Sequence, residues 1–225
     1  MSCSKNDCLQ VRYWKIRGLV EPIKTLAAYL KLHVDFQNIT EMAEWQKEKE
    51  GLISSGFLLA NLPYIKDKDT YLSETMVILH YLAHKANRND LFEQSFNFCE
   101  LKGAISDMKM TLTLPCYQST SIEDLKGKLE YSKQRMASKI NATSSLIQKS
   151  GFLYGKLTVL DFYLVELIEM VLKMEEELSI DILGANRGVF KDYVKRMLAL
   201  EGVAEYRKST NFSERPFNAA MAIWK

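Results

Sequence analysis

Across 225 residues the chain is 47% hydrophobic and 26% charged, the balance of an ordinary soluble globular protein able to bury one large core or two modest ones. A formal net charge of +2, from 30 basic and 28 acidic residues, leaves no excess positive field to gather a phosphate backbone, so nucleic acid is not an expected partner and small molecules fit better. The longest apolar stretch, Val159 to Leu172, is broken by Asp161, Glu166 and Glu169, and the opening MSCSKNDC has no apolar signal core, so membrane insertion is not expected and a cytoplasmic setting is.

The first element is a strand over residues 9 to 15, where Val11, Tyr13 and Ile16 favour extended backbone. Gly18 breaks it and Pro22 is pre-set for a first helical turn. Ile23, Leu26, Ala27 and Leu30 then recur at i, i+3, i+4, i+7, which predicts an amphipathic helix from about 22 to 31. The intervening turn opens to solvent beside Tyr13. A second strand follows at Val34 to Ile39, then a loop or short helix carrying Trp45. Leu62-Pro63-Tyr64-Ile65 and Thr70-Tyr71-Leu72 read as short strands around a polar turn at residues 66 to 69, and a helix begins near Glu74. The chain turns polar from Asn87 to Asp90. Beyond it the periodicity is helical throughout, with long segments near 94–116, 122–149, 158–177 and 187–200. The shift predicts an α/β domain over 1–89 and an all-helical domain over 90–225.

Four places carry chemistry. A tyrosine at a strand end, Tyr13, can donate its hydroxyl to a ligand thiol. A free thiol with a pKa near ~8.5 is mostly protonated at neutral pH, and lowering that pKa by about two units takes roughly 2.7 kcal/mol of differential stabilisation. Glu74-Thr75 opens a helix whose free N–H groups and hydroxyl make a ready carboxylate site. Trp45 and Lys49, four apart, face one way on a helical turn and bring an indole N–H and an ammonium together. Asn61-Leu62-Pro63 places a proline at a strand start. Each has a plain structural reading as well: an aromatic at a strand end, an N-cap, a solvated turn, a strand boundary. His33, His80 and His84 lack a third partner at ligand spacing, so no metal is expected, and Cys3, Cys8, Cys99 and Cys116 read as free thiols. Phosphate-binding glycine loops are missing. There is no Cys-x-x-Cys at the first turn, where Tyr13 takes the reactive place.

The wording of RYWKIRGL, followed by EPI, NLPY, SETMVILHYLA, LTVLDF and the terminal AIWK, resembles the cytosolic glutathione S-transferases, closest to the mu class, over nearly the whole chain. The resemblance implies a thioredoxin-like domain joined to a helical bundle, glutathione as co-substrate, and conjugation of its thiolate to hydrophobic electrophiles. Tyr13 matches the family's catalytic tyrosine. Trp14, Asn61, the backbone of Leu62 beside a cis Pro63, Glu74 and Thr75 would bind glutathione, and Trp45 with Lys49 would hold its glycyl carboxylate. The mu pattern has Gln-Ser where this chain has Glu74-Thr75. The stretch before Trp45 is shorter than in mu enzymes, and the arginine expected three positions upstream is Met42. Asp107 matches a residue lent to the partner's glutathione site in a homodimer. Tyr117, Met108, Thr111 and Ile223 are the expected electrophile wall. In the mu dimer an aromatic key plugs the partner; its place here is Leu59, with Phe57 the nearest aromatic substitute. Thr158 to Asp161 resembles the family's helix cap, a structural element. Two other functions remain open: a glutathione-dependent isomerase of prostaglandin-synthase type, and a non-catalytic ligand carrier or structural protein on the same fold.

Overall fold

A computed structural model describes residues 9–225. Cys3 and Cys8, read above as free thiols, lie outside the described residues. Strands β1 (Leu9–Trp14), β2 (Val34–Ile39), β3 (Tyr64–Asp67) and β4 (Thr70–Ser73) form one sheet in the order β2-β1-β3-β4. β1 and β2 are parallel, with Leu9 opposite Val34 and Trp14 opposite Ile39, and β3 is antiparallel to both its neighbours. β1 is therefore central. Its side chains alternate, so Leu9, Val11 and Tyr13 enter the core while Gln10, Arg12 and Trp14 take the other face. The hairpin turn is tighter than predicted: Lys66 and Asp67 stay in β3, and Lys68 makes the turn at φ 54°.

Helices α1 (Glu21–Tyr29) and α3 (Thr75–Lys85) pack together and against α6 (Val159–Leu178) of the helical domain. Of the loop or short helix expected around Trp45 the structure has a helix, α2 (Met42–Ser54), of 13 residues. Arg12 fixes that helix to the sheet by reaching Glu44 at 2.8 Å and Glu48 at 2.5 Å. The helical domain adds α4 (Phe96–Gln118), α5 (Ile122–Ser150), α7 (Arg187–Leu198) and a short α8 (Val203–Lys208) that the periodicity did not mark. α4 runs past Pro115 to Gln118, although proline there lacks a backbone donor and crowds the carbonyl four residues back.

α6 is apolar nearly all round because it is the core of the domain; Leu160, Phe162, Leu164, Leu167 and Ile168 are fully enclosed. Asp161 caps its start. The Thr158 N–H donates to one carboxylate oxygen at 2.8 Å, the Leu153 N–H to the other at 3.1 Å, and the Tyr193 hydroxyl joins at 3.1 Å. The cap is structural, as its sequence resemblance implied.

The two domains meet at charges. Arg17, 3% exposed, forks onto Glu166 at 2.5 and 3.2 Å and reaches Glu169 at 2.9 Å, while Arg207 grips Glu169 at 2.6 and 2.9 Å. The Arg17 guanidinium also lies 4.3 Å from the ring centre of Phe217. Residues 209–225 fold back over this seam, where Pro216 and Phe217 accept from the Arg17 and Gly18 N–H groups at 2.8 and 3.1 Å. Both Leu62–Pro63 and Arg215–Pro216 are cis.

Glu21 is buried at the same seam and accepts from the Tyr206 hydroxyl at 3.0 and 3.2 Å. Burial, then the nearby Glu166, pushes its carboxyl from 4.5 up to about 7. The folded state therefore holds this proton more tightly than the unfolded chain. The resulting stability is complete below pH 4.5 and is lost as pH rises through 7. Glu21→Gln, neutral at every pH, should gain on the wild type in urea midpoint between pH 5 and pH 8. A constant difference across that range would show that Glu21 does not titrate there.

Candidate active site

Strand parity puts the Tyr13 ring inside, and the turn after β1 brings backbone to its hydroxyl. The Leu19 N–H donates to Tyr13 Oη at 3.1 Å, and the Thr75 hydroxyl donates to the Leu19 carbonyl at 3.1 Å. One residue, Leu19, thus joins the tyrosine to the start of α3. Gly18 lies between at φ +38°, and a Cβ there would come within 2.7 Å of Tyr13 Oη. Only glycine lets the turn approach so closely. Burial pushes the Tyr13 phenol well above its ordinary range; the Leu19 N–H works against this, and Tyr117 and Glu166 add to it. Tyr13 is consequently a neutral O–H at physiological pH. With a lone pair engaged by Leu19, its proton remains for another acceptor.

Leu62 and Pro63 are buried and Asn61 is exposed at the head of β3. Ser73 closes this corner by donating to the Leu59 carbonyl at 2.8 Å. Glu74 stands at φ 73°, ψ 121°, a region that costs a non-glycine residue of order 1–3 kcal/mol, and its side chain is exposed just before the free N–H groups of α3. Trp45 is 7% exposed and stacks on Tyr64 at 6.4 Å, while Lys49 Nζ lies 5.9 Å from the indole ring. The four-residue spacing did put both on one side. The ammonium, however, sits over the ring.

The expected electrophile wall is only half assembled. Tyr117 Oη accepts from the Ala219 N–H at 3.0 Å, and next to it the Ile223 N–H donates to the Cys116 carbonyl at 2.8 Å. Trp14 is half-buried on the outer face of β1. Met108 is instead a core residue, 1% exposed, with Thr143 on its sulfur at 4.0 Å. Thr111 lines a groove of about 500 Å³ between α4 and α5, beside Asp107, Met110, Leu114 and Tyr131. A helix advances about 100° per residue, so Met108 and Thr111 lie within about 60° of one another while Tyr117 is turned about 180° from the first and about 120° from the second. Asp107 is exposed and paired with Lys139 of its own chain. Phe57 turns inward against Tyr64 and Tyr71 at 6.3 and 5.8 Å, leaving Leu58 and Leu59 as the exposed apolar residues of that loop.

Two residues that the sequence reading did not assign stand next to Tyr13. Arg17 holds the turn from below, and Lys109 of α4 donates to the Gly18 carbonyl at 3.0 Å. Arg17 was visible within the motif itself; Lys109 carried no local signal. His80 stacks on Phe92 at 5.1 Å and His84 meets Asn89 at 3.1 Å, and among the described residues no three His, Cys, Asp or Glu side chains are grouped as a metal would need. Cys99 is exposed and Cys116 buried, both free, and burial pushes the Cys116 thiol up to about 12. Among the described residues no helix is long and apolar enough to cross a membrane.

Residues 9–84 match the family model for the glutathione S-transferase N-terminal domain, and residues 106–210 match that for the C-terminal domain. The chain belongs to the glutathione S-transferase family. Its relatives include human glutathione S-transferase Mu 1, 28% identical over 221 residues that span 94% of this chain and 96% of that one. Glutathione S-transferase Mu 7 of Rattus norvegicus is 29% identical over 222 residues, with 94% and 96% covered, and glutathione S-transferase 2 of Gallus gallus is 27% identical over 222 residues, with 94% and 95% covered. The crystal structure of the glutathione S-transferase Blo t 8 superposes with a TM-score of 0.74 over 95% of this chain and 98% of its own, at 24% identity, and shares the fold. Both the thioredoxin-like sheet domain and the helical domain of the transferase fold are thus present, as the resemblance implied.

For this transferase, Gly18→Ala should lower the denaturation midpoint and displace Tyr13, because the new methyl meets its hydroxyl at a strained φ. Gly127→Ala, where a Cβ meets nothing within 4 Å, serves as the control and should be neutral or stabilising. Equal behaviour of the two variants in melting and in activity would show that the turn has room the geometry denies.

Proposed function

We propose that this transferase adds the glutathione sulfur to an electrophilic carbon of small hydrophobic molecules, with Tyr13 holding the thiolate. The thiol proton leaves to solvent, the sulfur lone pair forms the new S–C bond, and the leaving group departs with the electrons of the bond it breaks. The reading rests on one observation above all: a buried, neutral tyrosine at the end of β1 that already accepts from Leu19 and keeps its own proton to give. A donor of this kind stabilises a thiolate without taking its proton.

The other contacts follow from what surrounds Tyr13. The backbone of Leu62, beside cis Pro63, would pair with the cysteinyl unit, with Asn61 and Trp14 flanking it. The α3 N-terminus and Thr75 would take the α-carboxylate, and Glu74 the ammonium. Lys49 with Trp45 would take the glycyl carboxylate, and without an arginine at position 42 that end is the weaker one. Tyr117 and Ile223 would face the electrophile; Met108 and Thr111 are left out for the directions given above. Glutathione is a co-substrate here, and no step calls for a metal. We place the domain boundary at 89/90 and the protein in the cytoplasm. We also read it as a homodimer in which Asp107 reaches the partner's glutathione ammonium and Leu59 replaces the aromatic key.

Tyr13→Phe should keep most glutathione affinity while turnover at neutral pH falls about ten-fold or more, and raising the pH should recover part of the loss. An unchanged turnover would remove Tyr13 from its role.

Light scattering should show a dimer, and Asp107→Ala should raise the KM for glutathione with the dimer intact. A monomer with full glutathione affinity would overturn both the shared site and the assembly.

A further inference from the structure

Lys109 projects from α4 toward the turn after β1. Its Nζ donates to the Gly18 carbonyl oxygen at 3.0 Å and lies 5.6 Å from the centre of the Tyr163 ring. Gly18 C=O and Leu19 N–H are the two ends of one planar peptide unit, coupled by amide resonance. The far end of that unit donates to Tyr13 Oη at 3.1 Å. Ammonium, carbonyl, N–H and phenol oxygen therefore form a single line of hydrogen bonds. Along it the peptide dipole is aligned, its negative end on the lysine and its positive end on the tyrosine.

The choice of partner is unusual for a lysine drawn in from solvent. Among the described residues no carboxylate oxygen lies within 4.0 Å of its ammonium, and its one hydrogen bond goes to a neutral carbonyl. Burial lowers its pKa, Glu166 of α6 raises it, and Arg17 lowers it again. Both Glu166 oxygens are already taken by Arg17. Hydrogen bonds in a chain polarise one another, and a charge at one end strengthens the donor at the other.

We infer that Lys109 is a positioning residue for Tyr13: by polarising the Gly18–Leu19 peptide it strengthens the hydrogen bond that Leu19 gives the tyrosine oxygen. This makes the Tyr13 hydroxyl a better donor to the glutathione sulfur. The inference rests on the reading of Tyr13 as the sulfur's donor. The other titratable groups facing this line are Tyr117 and Glu166, which push the phenol up, together with Arg17 and the Tyr163 hydroxyl. Among the described residues none of them hydrogen-bonds to the Gly18 carbonyl or the Leu19 N–H.

The experiment titrates the thiol of glutathione bound to the intact protein, through the ultraviolet absorbance of the thiolate, in wild type, Lys109→Met, Lys109→Arg, Tyr13→Phe and the Lys109→Met/Tyr13→Phe double variant. Lys109→Met should raise the midpoint by about half a unit to one unit, so that kcat/KM falls roughly three- to ten-fold below the midpoint and recovers above it. The KM for glutathione should stay near wild type, and Lys109→Arg should restore the midpoint. In the Tyr13→Phe background the lysine change should move the midpoint no further, since the line then has no end. If Lys109→Met does not fold, Lys109→Gln replaces it, with a neutral donor and the same direction of shift. A normal Tyr13→Phe shift with no Lys109→Met shift overturns the inference alone. An equal Lys109→Met shift in both backgrounds also overturns it, because the charge would then act on the sulfur directly. No shift in Tyr13→Phe overturns the reading of Tyr13 and the inference with it.

Discussion

A guanidinium sealed between two domains governs this structure. Arg17 loses nearly all its water, and burial of that kind costs several kcal/mol unless every donor finds an acceptor. Glu166 and Glu169 of α6, the Glu214 carbonyl and the Phe217 ring meet that demand from the helical side. The cation belongs to the turn that follows the central strand, so satisfying it also sets where that turn lies. Removing one member of such a group would leave a buried charge unpaired, a loss of about 3–5 kcal/mol. The two domains are thus locked at the residue next to Gly18.

The chemistry proposed for Tyr13 depends on that lock. The Gly18–Leu19 peptide is flanked on one side by the Arg17 and Gly18 N–H groups, which donate to the Pro216 and Phe217 carbonyls, and on the other by the Leu19 carbonyl, which accepts from Thr75. Its N–H is then aimed at Tyr13 with no further freedom. The same burial that keeps Tyr13 protonated also keeps water from competing for its proton, so the hydroxyl is a fixed donor in a region of low polarity. About 2.7 kcal/mol of preference for thiolate over thiol is within reach of one charge-assisted hydrogen bond of this quality.

Of the departures from the mu pattern, Thr75 lies at the centre of the site and keeps a hydroxyl that donates to the Leu19 carbonyl, while the others lie further out. Met42 is exposed at the start of α2, and Arg12 ties that helix to the sheet through Glu44 and Glu48. Phe57 packs into the Tyr64 and Tyr71 cluster, so its loop offers Leu58 and Leu59 to the outside. These two places lie on α2 and the loop before β3, away from the line of hydrogen bonds from Tyr13 through Leu19 to Thr75.

Much of this was legible in the residues themselves. The i, i+3, i+4 pattern marked α1, and the polar start of α3 was readable from chain-local chemistry that needs no distant partner; the Asp161 cap came with the resemblance, and the alternation that turns Tyr13 inward emerged only with the sheet. The resemblance supplied the family, and with it the roles for which spacing alone left a plain structural alternative. What the resemblance did not carry over was direction on a long helix: Met108 and Thr111 sit near Tyr117 in sequence but turn into the core and into the α4–α5 groove. The return of the last residues over the turn, the α6 carboxylates under Arg17, 149 positions away, and the lysine on the Gly18 carbonyl, 91 positions away, were settled by tertiary structure alone. Local pattern records which backbone a segment prefers and which face it hides. Which distant charge meets which buried donor is decided only when whole elements pack, because the desolvation that makes such a partner necessary does not exist until then.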